Sequence, residues 1–286
     1  MMKQNITRLY DDYKEGRSGR RDFIKKLTMV AGSTAAAMAL IPVLEENSLK
    51  AATLPADEDL ITEFIKYPAA AGEMRGFMAH PKKGKKFPAV IVIHENRGLQ
   101  PHIQDVTRRM AKEGFLAMAP DALTLSGGTP ENDQTKAVAM IRELNNDDTI
   151  KNFVAAVKYL KTHPKSTGKV GCTGFCWGGA MTNQVAVNAP DHDAAVPYYG
   201  RQPATEDVAK IKAPILAHYA GNDQGINAGI EAFEAELKKQ KKEYQIFMYE
   251  GAYHAFNNDS NPERYNDEAA KLAWGRTVEF FKEKLK

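Results

Sequence analysis

The hydrophobic pattern changes period along the chain in a way that spells out strands and helices in alternation. Residues 89 to 94 read Ala-Val-Ile-Val-Ile-His, a β-branched run without polar alternation, which predicts a strand buried on both faces of a parallel sheet. Upstream, Leu60 to Tyr67 and Met74 to His80 predict two antiparallel edge strands joined by a turn at Ala71-Gly72-Glu73. Downstream, Ile103 to Glu113 carries apolar residues at helical spacing and is closed by Gly114, with Phe115 to Ala119 as the next buried strand. Asp147 to His163 predicts a helix with Phe153, Val157 and Leu160 on one face and Pro164 beyond its end. Lys169 to Gly174 is a strand running straight toward Cys176, and Ala180 to Ala189 continues as a helix. Further strands fall at Ala194 to Tyr199, Pro214 to Ala220 and Tyr244 to Tyr249, with helices at Gly229 to Lys239 and Asn266 to Leu285. This β, α, β, α order predicts an α/β protein: a mostly parallel sheet with helices on both faces.

Composition agrees with one sizeable globular domain, placed at residues 57–286: the 286 residues are 43% hydrophobic and 26% charged, with no internal repeat. A net charge of +3, from 39 basic and 36 acidic residues, supplies no electrostatic footprint for nucleic acid. No Gly-rich loop follows the first parallel strand, and the histidines at 94, 102, 163, 192 and 218 lack the paired spacing of a metal site, so no cofactor or metal is expected.

Residues 1–56 carry a different signal. Gly19-Arg20-Arg21-Asp22-Phe23-Ile24-Lys25 precedes an apolar run from Leu27 to Leu44, which resembles a twin-arginine export signal with Gly19 and Ile24 as departures from the usual pattern. Periplasmic export is the expectation, with membrane association only through an uncleaved signal; Ala51, Ala52 and Ala56 offer cleavage points. Two cysteines in an exported chain invite a disulfide. Four extended steps, however, hold the Cα atoms of Cys172 and Cys176 roughly 13 Å apart, beyond the roughly 7 Å a bridge tolerates, so both are expected as free thiols.

In an open parallel sheet, ligands bind beyond the carboxyl ends of the strands, and four residues stand there: Glu95, Cys176, Asp223 and His254. Cys176 lies in Gly-Phe-Cys-Trp-Gly-Gly, the G-x-S-x-G nucleophile elbow with Cys in place of Ser. Such a turn sets the nucleophile at a helix N-terminus, whose dipole favours thiolate, and aims the Trp177 amide at a developing oxyanion. The Asn96 amide, in the loop after the first parallel strand, is the expected second donor. Asp223 and His254 follow in the order nucleophile, acid, histidine, so Asp223 would orient the imidazole, and His254 would hold the thiolate as an ion pair and later activate water.

With these residues in view, the chain from Leu60 onward resembles the dienelactone hydrolase family of the α/β-hydrolase superfamily. The resemblance rests on Gly171-Cys-Thr-Gly-Phe-Cys-Trp-Gly-Gly-Ala180, Tyr198-Tyr199-Gly200, Gly221-Asn-Asp223, Tyr253-His254-Ala-Phe256 and His94-Glu95-Asn-Arg-Gly98. It implies cleavage of a small ester or lactone through a thioester on Cys176, with Glu95 engaging the thiol at rest until substrate displaces it. It also implies a substrate pocket near Arg97 and Tyr198, with two carboxylate-binding arginines. Leu125 and Asn257 stand where those arginines would fall, so a different substrate is expected. The alternatives are a binding protein on the same fold and a redox-responsive thiol protein; the oligomeric state is left open.

Overall fold

The computed structural model describes residues 19–31, 33, 58–70 and 72–286. The chain divides into Met1–Ala56 and Asp57–Lys286. In the first unit, helix α1 (Arg20–Ala31) begins at the paired arginines. Most of the predicted apolar run and all three alanines proposed for cleavage lie outside the described residues. No helix among the described residues is long and apolar enough to cross a membrane.

The second unit is built on an eight-stranded sheet in the order β1-β2-β4-β3-β5-β6-β7-β8. Strands β1 (Leu60–Ala69) and β2 (Gly72–Pro81) form the antiparallel edge hairpin. The hairpin is tighter than the sequence predicts: Gly72 pairs with Ala69 and opens β2, with a positive φ of 143° that glycine tolerates; Ala71 lies outside the described residues. All other neighbours from β4 to β8 run parallel. The run predicted as doubly buried is β3 (Phe87–Ile93), whose Val90 and Val92 enter one core while Ala89, Ile91 and Ile93 enter the other. Period-two alternation therefore sends apolar side chains to both faces, which is why the strand contains no polar position.

On the face of Val90 lie α2 (Pro101–Lys112), through Ile103, Val106 and Met110, and the last helix, through Phe280 and Phe281. The opposite face is covered by α3 (Gln134–Glu143), α4 (Asn146–Thr162) and α5 (Trp177–Asn188). Pro101 starts α2 at a position where a missing N–H costs nothing, and Asn145 caps α4 by accepting from the Asp148 amide at 3.0 Å. Strands β4 (Leu116–Pro120), β5 (Ser166–Phe175), β6 (Ala194–Tyr198), β7 (Ile215–Asn222) and β8 (Tyr244–Tyr253) complete the sheet. After β7 come the single turn α6 (Gln224–Asn227) and α7 (Ile230–Lys239), and α8 (Asp267–Lys284) closes the chain. The sequence reading misses α3 and α6, and it starts α5 three residues late.

Candidate active site

Strand β5 ends at Phe175 and α5 begins at Trp177, so the whole reversal falls on Cys176, with φ 57° and ψ −116°. A non-glycine residue in that region carries about 1–3 kcal/mol of strain and persists only where its surroundings over-determine it. The Cys176 N–H donates to the Tyr198 carbonyl at 3.1 Å, and the Ala180 N–H donates to the Cys176 carbonyl at 3.1 Å. Glycines let the backbones close around the turn. A Cβ on Gly178 would sit 2.4 Å from the carbonyl oxygens of both Ile93 and His94, and one on Gly174 would sit 2.3 Å from the Gly178 carbonyl oxygen.

Asp223 ends the β7 segment, and its backbone carbonyl receives the N–H groups of Ile226 and Asn227, opening α6. Its carboxylate is thereby turned toward the neighbouring strand, where His254 Nδ1 donates to Asp223 Oδ2 at 2.5 Å. Strand β8 runs four residues past its predicted end, to Tyr253, which delivers His254 as the first residue beyond the sheet. Ala255, at φ 70°, then bends the chain back. The imidazole also lies against the Tyr199 ring, with centroids 5.1 Å apart.

The Cys176 thiol is pushed up to about 11: burial acts first and the Glu95 charge second, against the Trp177 amide, which draws it down; Asp223 raises it and Arg97 lowers it. Glu95, Asp223, Arg97 and the Trp177 N–H thus all lie within electrostatic reach of the sulfur. Desolvation and a nearby carboxylate thus act on the sulfur against the helix terminus, which favours thiolate. Among the described residues, no hydrogen bond joins the Cys176 sulfur to His254 or to Glu95. The Glu95 carboxylate instead accepts from Asn258 Nδ2 at 2.8 Å, and Asn258 Oδ1 is held by the Ser260 N–H at 3.0 Å and the Ser260 hydroxyl at 2.5 Å.

Several predicted positions change. Tyr198 is fully buried, and its hydroxyl donates to Thr277 Oγ1 at 2.6 Å because Thr277 gives its own proton to the Ala273 carbonyl, so Tyr198 is core and not pocket. Its neighbour Tyr199 faces the site. Its φ of 37° turns it away from strand geometry, and burial, followed by the electrostatic effect of Glu95 and Cys176, pushes its phenol well up, against the Asn257 backbone N–H, which lowers it. Leu125 is 49% exposed in a turn beside Gly72 of the edge hairpin. Asn257 is buried, but Asn258, one residue on, is the side chain that meets Glu95. The Trp177 ring stacks on His94 at 5.4 Å and meets Phe153 edge-on at 6.1 Å, so its bulk packs toward the core below α5. Both cysteines are free; Cys172 is fully buried, and burial pushes its thiol up to about 12. Among the described residues no group of His, Cys, Asp or Glu side chains is arranged to hold a metal.

A cavity of about 690 Å³ opens beside the acid and base, lined by Gly221, Asn222, Asp223, Gln224, Tyr253, His254, Glu263 and Arg264. A separate groove of about 630 Å³ between the edge hairpin and α4, lined by Ala69, Ile150, Lys151 and Val154 among others, includes none of the site residues.

A mostly parallel sheet with a strained nucleophile elbow, and with an acid and a histidine at later strand ends, defines an α/β-hydrolase. Residues 74–285 match the family model of the dienelactone hydrolase family, and the chain belongs to that family as a hydrolase of its type. It is 35% identical to the "Putative carboxymethylenebutenolidase" of Saccharolobus solfataricus, over 76% of this chain and 97% of that protein. It is 36% identical to "Protein usf" of Aquifex pyrophilus, over 78% of this chain and 99% of that protein. Among solved structures, the "Putative Dienelactone Hydrolase" of Klebsiella pneumoniae superposes with a TM-score of 0.71 at 27% identity, covering 78% of this chain and 98% of that one.

Proposed function

We propose that this chain hydrolyses a small ester or lactone through Cys176, His254 and Asp223, with Glu95 governing the charge of the thiol. The observation that carries the reading is the 2.5 Å His254–Asp223 hydrogen bond beside the positive-φ Cys176. With Nδ1–H given to Asp223, the imidazole keeps Nε2 free as a proton acceptor. As the sulfur attacks the substrate carbonyl carbon, its proton passes to Nε2 and an S–C bond forms. The negative charge moves to the carbonyl oxygen, where the N–H groups of Asn96 and Trp177 receive it. The ester C–O bond then breaks, and the leaving alkoxide takes the proton from His254. Water, deprotonated by His254, attacks the thioester; the S–C bond breaks and the returning proton restores the thiol.

A thiol held near 11 is shielded from peroxide, since the thiolate is the reactive form, and this favours the hydrolase over a redox-responsive thiol. The cavity beside Asp223 and His254 is lined by Gln224 and Arg264 and not by Cys176, so a substrate that extends into it from the sulfur would place a polar or charged flank there. Mixing the protein with a p-nitrophenyl ester should give a burst of one product per chain followed by slower turnover, both abolished in Cys176→Ala. Undiminished turnover in that variant removes Cys176 as the nucleophile. Esters with and without a carboxylate then define the substrate class.

The proposal includes export. The paired arginines open α1, and the apolar run follows them. Replacing Arg20 and Arg21 by Lys should keep the protein in the cytoplasmic fraction of a bacterium with a twin-arginine pathway; an unchanged periplasmic fraction overturns it.

A further inference from the structure

His94 is fully buried at the end of β3, and both of its ring nitrogens are committed. Nδ1 lies 2.6 Å from the Glu95 carbonyl oxygen, and Nε2 lies 3.2 Å from the Ala122 N–H. A carbonyl can only accept and an amide N–H can only donate, so Nδ1 bears the proton and Nε2 is bare. Burial, acting against the hydrogen bond to Glu95 and the charge of Asp121, holds the ring's pKa down and keeps it neutral. The ring face stacks on Trp177.

The carbonyl that His94 grips belongs to the Glu95–Asn96 peptide. In a trans peptide, C=O and N–H point in opposite directions across one plane, so fixing the oxygen fixes the Asn96 N–H. That N–H donates to no acceptor among the described residues, while the same carbonyl also accepts from the Gly98 N–H at 3.3 Å, closing a turn over residues 95–98. The far side of the turn is tied down as well: the Leu99 N–H donates to Thr129 Oγ1 at 2.9 Å, and Thr129 Oγ1 donates to Asp121 at 2.7 Å. The turn therefore hangs between two anchors, and at its start His94 makes the shorter hold on the Glu95 carbonyl, 2.6 Å against 3.3 Å from Gly98.

We propose that His94 is a positioning residue that locks the Glu95–Asn96 peptide with its N–H toward the reacting carbonyl. This rests on the hydrolase reading above. A peptide between two loop residues can rotate as a unit, exchanging N–H for C=O; a C=O aimed at the oxyanion would oppose the transition state.

Two substitutions separate the ring's two bonds. Asn at position 94 places an amide N–H at the depth of Nδ1 and loses the acceptor for Ala122. Gln places its amide at the depth of Nε2 and loses the donor to Glu95. With a p-nitrophenyl ester, His94→Gln should lower kcat by about 10- to 100-fold, somewhat less than loss of a whole oxyanion donor, with KM within about twofold. His94→Asn should keep kcat within about threefold of the parent while losing thermal stability. Alkylation of Cys176 by iodoacetamide, which develops no oxyanion, should proceed equally in all three proteins. Equal kcat losses in the two variants, or an unchanged kcat in His94→Gln, overturn the positioning role while Cys176→Ala remains inactive. An active Cys176→Ala overturns the hydrolase reading instead. Nitrogen-15 NMR of the unsubstituted protein provides a check free of folding defects: the His94 ring should show protonated Nδ1 and bare Nε2, and the opposite tautomer overturns the proposal.

Discussion

The two halves of the site are built in opposite ways. Around Cys176, Glu95 and Asn96, backbone meets backbone: Gly178 lies directly under the end of β3, His94 uses both ring nitrogens, and the loop over residues 95–100 is tied to Thr129 and Asp121. Around Asp223 and His254, a cavity of about 690 Å³ reaches in, Tyr253 is 57% exposed, and a Cβ added to Gly225 would touch nothing within 4 Å. The division fits the proposed chemistry. Donors aimed at a developing charge must be preorganised, because reorganising them during reaction costs what they supply. A histidine that first takes a proton and later activates water needs solvent access.

The comparison yields tests of decreasing size. Asp223→Asn should lower kcat by about 10³- to 10⁴-fold without loss of fold, since the amide presents the wrong group to Nδ1; a fall under tenfold would show that His254 is oriented by something else. Gly178→Ala should destabilise by about 3 kcal/mol in urea unfolding, because its Cβ would meet two carbonyl oxygens at 2.4 Å and neither backbone can retreat. Gly225→Ala, on the open side, should be neutral or stabilising by up to about 1 kcal/mol, and equal losses at the two glycines would erase the distinction.

Charge gives two further tests. The iodoacetamide reactivity of Cys176 should climb with pH toward a midpoint near 11. Glu95→Gln removes the negative charge that opposes the thiolate, so the midpoint should fall, and at pH 8 the rate should rise by about tenfold if the shift is one unit. Superimposable pH profiles would place Glu95 outside the thiol's field. The smallest effect concerns Asp259, which pairs with His102 at 3.1 Å and Arg109 at 2.5 Å and ties the segment after Asn258 to α2. The bond to His102, followed by that to Arg109, lowers its carboxyl from 3.8 to about 2. Its contribution is therefore complete above about pH 4 and lost as pH falls through about 2. Asp259→Asn should accordingly flatten the acid side of the stability curve and leave the neutral side lower; an unaltered acid limb would count against this pair.

Much of this was legible along the chain because strands and helices write their burial as periodicity. The unbroken apolar run of β3, Gly114 at the end of α2 and the glycines around Cys176 each report a local constraint that holds in any tertiary setting. Helix α3 escaped because its buried face is just Ala137 and Ile141, too little to register against polar neighbours. Inside the site, Tyr198 and Tyr199 are adjacent, and it is the second, at positive φ, whose ring lies against His254; Asn258, which meets Glu95, carries no local signal that marks it.

By itself, then, the sequence determined the α/β order, the elbow at Cys176, and the strand ends that carry Asp223 and His254, because these follow from periodicity and from residue types that tolerate sharp turns. Only the tertiary structure decided that burial and Glu95 act against the Cys176 thiolate, that Asn258 holds Glu95, and that His94 grips the Asn96 peptide. Each of these depends on burial and on distances between segments far apart in the chain, quantities that no local pattern encodes.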